Sequence, residues 1–189
     1  RVNAAGVILQ IGFQRRFDMR YRTVFDLVRS GRLGRIHLLR SITRDPELAH
    51  PERVPPWAIF RETLIHDFDL LCWMAASEPV EVFAMADALV APGYKDAGLR
   101  DTAVVTIRFE SGALATADAS FQAVYGYDVR TEVFGTEGAA LVDPTADAQV
   151  AVLDRSGKHT RRVPWFLELF EAAYVAQIEA FVRTVVSGG

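Results

Sequence analysis

The chain has 189 residues, of which 50% are apolar, 24% charged and 11% aromatic, with a formal net charge of −3. This is the composition of a folded globular domain. It excludes disordered, collagenous and membrane-spanning classes, since no run approaches the roughly 18 apolar residues of a spanning helix. The single cysteine, Cys72, excludes an intrachain disulfide and suits a reducing, cytoplasmic setting.

Charge is unevenly spread. Residues 1–44 carry ten arginines and two acids. The arginines are scattered among apolar residues with no low-complexity run, so they read as a solvated face with a few ion pairs rather than a nucleic-acid arm. Arg1 to Gly6 reads as the end of a helix stopped by a glycine, and the first residue therefore reads as a cut. Val7 to Phe13 is apolar and β-rich and predicts a buried strand. Asp18 is placed to cap a helix whose apolar stripe ends at Ser30-Gly31. Gly34 to Ile42 predicts a strand, and Pro46 to Pro56 a loop with four prolines. Glu62 to Ala76 predicts a helix apolar almost all round, Val80 to Val90 a strand, and Ala91 to Leu99 a turn-rich loop.

Three hairpin signals follow. Residues 102–109 and 113–121 flank Glu110-Ser111-Gly112, residues 127–134 and 139–142 flank Gly135 to Gly138, and residues 150–153 and 159–163 flank Asp154 to Gly157. Pro164 closes the sheet, and Trp165 to Val186 predicts a long helix with Phe170, Tyr174, Ile178 and Phe181 on one face. Successive hairpins predict an α+β fold: a largely antiparallel sheet with helices on one face. The other face is open and partly apolar, which predicts self-association.

The helix over residues 62–76 holds the most informative pattern. At about 100° per residue, Glu62, His66, Asp69 and Trp73 fall on one stripe. A carboxylate, an imidazole and a second carboxylate on a mostly buried helix must face polar groups. The stripe is the wall of a pocket with an acid/base pair, a satisfied structural triad, or a stripe that simply faces water. Its E-x₃-H spacing is not that of H-E-x-x-H, and the other histidines sit in no ligand-spaced cluster, so no metal site is expected. If close, the Glu62 carboxylate should raise the His66 pKa. Thr43-Arg44-Asp45-Pro46 at a strand end and Tyr125-Gly126-Tyr127-Asp128 at a strand start are two further polar clusters. No G-x-G-x-x-G, G-x-x-x-x-G-K-[ST] or G-x-S-x-G is present, so the chain alone is not expected to bind NAD(H).

Taken in order, five segments resemble the glucose–fructose oxidoreductase / inositol dehydrogenase (Gfo/Idh/MocA) family. They are Gly12-Phe13-Gln14-Arg15-Arg16-Phe17-Asp18, Ser30-Gly31-Arg32-Leu33-Gly34, Thr43-Arg44-Asp45-Pro46, Ile65-His66-Asp67-Phe68-Asp69, and Tyr125 to Asp128 continued by Glu132 to Gly138. The resemblance implies the C-terminal half of a two-domain enzyme that uses NAD or NADP, with a dihydrodipicolinate-reductase-like sheet. Residues 1–17 would be the last strand of, or the crossover from, a Rossmann domain absent here. Residues 18–189 would be a substrate and oligomerisation domain lacking a final helix.

Carried over by motif, His66 matches the catalytic histidine, with Glu62 beside it where the family usually has Asp. Asp69, Arg44, Asp45, Tyr125 and Tyr127 match substrate-contacting positions. The implied substrate is a small polyhydroxy compound such as a cyclitol, the implied partner a second copy of the chain, and neither nucleic acid nor membrane is implied. Pro55-Pro56-Trp57-Ala58 replaces the family's S-G-G before the helix, and this departure together with Glu62 leaves open a non-catalytic sugar-binding or scaffold relative.

Overall fold

The computed structural model describes residues 2–46, 50, 53–143, 151–154, 157–160 and 165–188. In chain order the elements are α1 (Val2–Ala5), α2 (Met19–Arg29), β1 (Ile36–Arg44), α3 (Leu64–Ala75), β2 (Pro79–Asp87), α4 (Pro92–Asp96), β3 (Thr102–Phe109), β4 (Leu114–Ser120), β5 (Asp128–Gly135), β6 (Ala139–Val142), β7 (Ala151–Asp154), β8 (Gly157–Thr160) and α5 (Phe166–Ser187). A 3₁₀ turn (Gln14–Phe17) precedes α2, and a π-helical turn (Ile59–Thr63) precedes α3.

Six strands form one sheet in the order β2-β3-β4-β1-β5-β6. Only β1 with β4 is parallel; the other neighbours are antiparallel. Period-two alternation divides the sheet into two faces. In β1, β3, β4 and β5 the odd-numbered residues, among them Leu39, Val105, Ile107, Ala117 and Val133, are buried beneath the helices. Ala115, Ala117 and Ala119 give β4 a low surface, and α3 lies across β1 and β4 there. The even-numbered residues of these strands form the open face; in β2 and β6 the parity is reversed, so Phe83 and Met85 face outward opposite Thr106 and Val104, and Val142 is buried opposite Thr131. The first two hairpins are present as expected, β3 with β4 and β5 with β6. The third, β7 with β8, forms a separate two-stranded sheet. Pro164 lies outside the described residues.

Residues 7–13, expected as a buried strand, form no strand, and Val7 and Leu9 are about 60% exposed. A strand needs a neighbour to take up its N–H and C=O groups, and this segment pairs with none of the six strands. Within residues 91–99, expected as loop, Pro92–Asp96 form the short helix α4. The expected helix over 62–76 begins two residues later, because Ile59–Thr63 take the wider π turn. Of the expected apolar face of α5, Phe170 is buried, Tyr174 and Phe181 are half-buried and Ile178 is exposed. Asp18 caps α2 by accepting from the Arg20 backbone N–H.

Two glycines fix how α2 returns to the sheet. Gly34 has φ +71°, and a Cβ there would meet Thr136 and Glu137; a Cβ on Gly135 would run into the Leu33 carbonyl. The 31–34 turn therefore lies directly on the β5–β6 turn, at a separation only hydrogen permits. No helix among the described residues is long and apolar enough to cross a membrane.

Candidate active site

The 3₁₀ turn supplies two adjacent arginines, and both are spent on α3. Arg15 is 2% exposed and donates from Nη1 to Asp67 Oδ1 at 2.8 Å and from Nη2 to Thr43 Oγ1 at 2.9 Å. Ser41 and Thr43 hydroxyls donate to the same carboxylate, which is fully buried. Such a pair is tolerable in the interior because the carboxylate accepts from Arg15, Ser41 and Thr43 and both Arg15 Nη groups donate. Burial works against the Arg15 charge, but the Asp67 carboxylate outweighs it and holds the guanidinium protonated. Arg16 forms a two-pronged pair with Asp69, at 2.8 and 2.7 Å.

Above this floor lies a cavity of about 300 Å³. Gln14, Asp45, Glu62, Thr63, His66 and Tyr127 give it polar walls, and Phe121, Trp165 and Phe166 close its apolar side. The polar groups arrive from different elements for simple reasons. Asp45 is the odd residue following Thr43 on β1, so alternation turns it to the helix side; Tyr127 precedes the odd row of β5. The π turn and first turn of α3 deliver Glu62, Thr63 and His66.

Burial, aided by the Arg15 charge, lowers the His66 pKa below its ordinary value, against the opposing pull of Asp67 and Asp69. A neutral imidazole in a polar cavity can accept a proton. Its Nδ1 is buried with no partner among the described residues, and the Phe13 ring stands edge-on to it at 6.0 Å. Burial pushes the Asp45 carboxyl up to about 6, partly offset by the hydrogen bond it accepts from Thr63 Oγ1 at 3.0 Å. The Tyr127 hydroxyl is also held above its ordinary pKa, chiefly by burial.

Of the residues singled out in the sequence, His66, Glu62, Asp45 and Tyr127 line this cavity. Asp69, Arg44 and Tyr125 do not. The expected single wall of Glu62, His66 and Asp69 is thus broken: Asp69 lies one turn further along α3 and is engaged by Arg16. Arg44, an even residue, points to the open face and pairs with Asp118. Tyr125 is exposed and donates to Asp128 Oδ2 at 3.0 Å. Nor does Glu62 act on His66 as expected. It is an exposed residue with no hydrogen bond or ion pair to His66 among the described residues, and the imidazole pKa is lowered rather than raised. The wide π turn between the two residues spoils the regular i, i+4 spacing on which that expectation stood.

Sequence reasoning passed over Gln14, Arg15, Thr43, Thr63 and Asp67. Arg15 carried a usable signal: a charge between Phe13 and Phe17 in an apolar segment must be paired or exposed. Trp57 adopts φ 65°, the left-handed region glycine favours, at the position where the family's glycines were expected. Among the described residues no cluster of three or more His, Cys, Asp or Glu side chains could hold a metal ion.

The site thus sits on an open-faced α+β sheet with a histidine-bearing helix over its covered side. Residues 21–141 match the GFO/IDH/MocA C-terminal domain, and the chain belongs to that family. It is 41% identical over 188 residues to the uncharacterized oxidoreductase YrbE of Bacillus subtilis, covering 97% of this chain and 54% of that protein. It is 39% identical over 186 residues to the myo-inositol 2-dehydrogenase of Thermotoga maritima, covering 97% and 56%. The crystal structure of scyllo-inositol dehydrogenase from Lactobacillus casei with bound NAD(H) and scyllo-inositol superposes with a TM-score of 0.88 at 28% identity, covering 98% of this chain and 57% of that one. The chain spans about half the length of the curated relatives it matches.

Proposed function

We propose that this chain is the substrate-binding half of an NAD(P)-dependent dehydrogenase that oxidises a secondary hydroxyl of an inositol or similar polyol. The observation that carries the reading is the neutral His66 in a cavity whose other polar groups are carboxylates, hydroxyls, an amide and an Arg15 guanidinium already held by Asp67. Each of these can meet a specific hydroxyl as donor or acceptor. His66 is the base that takes the hydroxyl proton as the carbon-bound hydrogen leaves as hydride, and the alcohol becomes a ketone. Asp45 and Tyr127 hold neighbouring hydroxyls. Glu62 stands at the rim as a further acceptor.

The donor set does not fit the phosphates of a dinucleotide. Arg15 is the only cationic side chain among the described lining residues, and it is consumed by Asp67. The sequence has no glycine-rich phosphate turn. A nicotinamide held elsewhere in the parent enzyme would supply the hydride acceptor; the residues here handle the alcohol and its proton. Relatives named as inositol dehydrogenases, one with NAD(H) bound, support NAD as that partner. The single cysteine suits a cytoplasmic setting. The open face supports assembly of the parent enzyme from copies of itself.

One observation favours a second reading. Glu62 makes no hydrogen bond or ion pair with His66 among the described residues, as expected of a binding relative that has lost the chemistry. Spectrophotometric reduction of NAD and of NADP by the parent enzyme, across inositol stereoisomers, separates the two. Turnover of at least one isomer is expected; saturable polyol binding without turnover would favour the second reading.

A further inference from the structure

Several polar groups of the cavity are already committed. Arg15 is held by Asp67 and Thr43, Thr43 by Asp67, and Thr63 by Asp45. Gln14 is different. It is 4% exposed, lines the cavity from the 3₁₀ turn, and its Oε1 has no hydrogen-bond partner among the described residues. A buried amide oxygen without a partner is costly, so such groups are seldom left without a ligand to meet them. The residue before it, Phe13, touches the His66 ring, which places residue 14 beside the reacting end of the cavity.

We propose that Gln14 is a specificity-determining residue whose amide binds one non-reacting hydroxyl of the polyol, so setting which stereoisomer presents a reactive carbon to His66. This rests on the dehydrogenase reading above. The terminal amide torsion is roughly two-fold, so Gln14 offers the hydroxyl either its C=O as acceptor or its NH₂ as donor. A cyclitol carries a hydroxyl on each ring carbon, and a second fixed contact orients the ring while His66 engages the first. An aliphatic side chain at this position would leave the ring free to enter in more than one orientation.

The test uses the parent enzyme with NAD, myo-inositol and the derivatives of myo-inositol that each lack one non-reacting hydroxyl. Gln14→Leu should lower kcat/KM for myo-inositol about tenfold, the worth of one uncharged hydrogen bond. For one derivative, the one missing the hydroxyl Gln14 reads, kcat/KM should be unchanged by the substitution. An equal loss on all derivatives would mark Gln14 as structural and overturn the proposal, as would no loss on any. Should Gln14→Leu not fold, Gln14→Glu, which keeps the size and the acceptor, is read against the same derivatives. A selective change at a single ring position is expected there, and uniform behaviour overturns the proposal equally. Failure of the unaltered enzyme to oxidise any inositol instead overturns the dehydrogenase reading, and this inference with it. The two failures are told apart before any variant is made.

Discussion

His66 and Asp45 face one cavity and are displaced in opposite directions by the same cause. Burial penalises charge, so the imidazole loses its proton more readily and the carboxyl keeps its own more tightly. The acid limb of kcat/KM should therefore fall below the ordinary imidazole value of 6.5, because the base is protonated only there. Asp45→Asn should leave that limb in place, since it belongs to His66; disappearance of the limb in this variant would reassign it. The same Asp45 substitution tests stability. A carboxyl whose folded pKa is raised to about 6 from 3.8 is a liability when ionised. Its cost is at most about 3 kcal/mol at pH 7.5 and fades as the pH falls from 6 towards 4. Asp45→Asn should raise the thermal midpoint at pH 7.5 and give no gain at pH 4. An unchanged midpoint at both would contradict the burial argument.

Turns and pairing decide where these residues end up. The strands β3 to β6 were legible because glycine-containing turns separate short β-rich runs. The segment 7–13 carried the same signal, but a strand is a property of a pair, and the sequence does not show whether a partner is beside it. Sequence neighbours at the polar motifs parted for a related reason. Arg44 and Asp45 are adjacent, yet alternation sends one to the open face and the other to the cavity. Asp67 and Asp69, two apart on α3, are each taken by one of two adjacent arginines. His66 was legible because an imidazole on an apolar helix demands an explanation. Thr63 was not, because its role depends on a π turn that spacing alone does not reveal. The contact between turns at Gly34 and Gly135 is testable at this level. Gly34→Ala adds a Cβ at φ +71° against Thr136 and Glu137 and should cost about 2 kcal/mol or more, read by urea unfolding. A neutral effect would mean the turn can shift.

At the scale of the molecule, the sheet has one covered and one uncovered face. Cross-strand pairs place Phe83 opposite Thr106 and Met85 opposite Val104, and put Leu38 opposite both Leu114 and Phe134. Phe83 and Met85 are each 62% exposed. An apolar stripe of this kind, interrupted by the Arg108–Glu81 and Arg40–Glu132 pairs, has the composition of a subunit interface. Phe83→Asp should lower the mass of the parent enzyme by light scattering at micromolar concentration. An unaltered protein that is already monomeric would contradict assembly through this face.

The covered face carries the candidate site. There the buried Arg15–Asp67 pair supports α3, and α3 holds His66 at the cavity, where we propose it acts as the base. The measurement that tests this most directly is the kcat of His66→Ala against that of the unaltered parent enzyme, with inositol and NAD saturating and the fold checked by circular dichroism. A loss of about 10²- to 10⁴-fold is expected, the usual worth of a positioned acid/base group. Turnover undiminished in a folded His66→Ala enzyme would contradict the account.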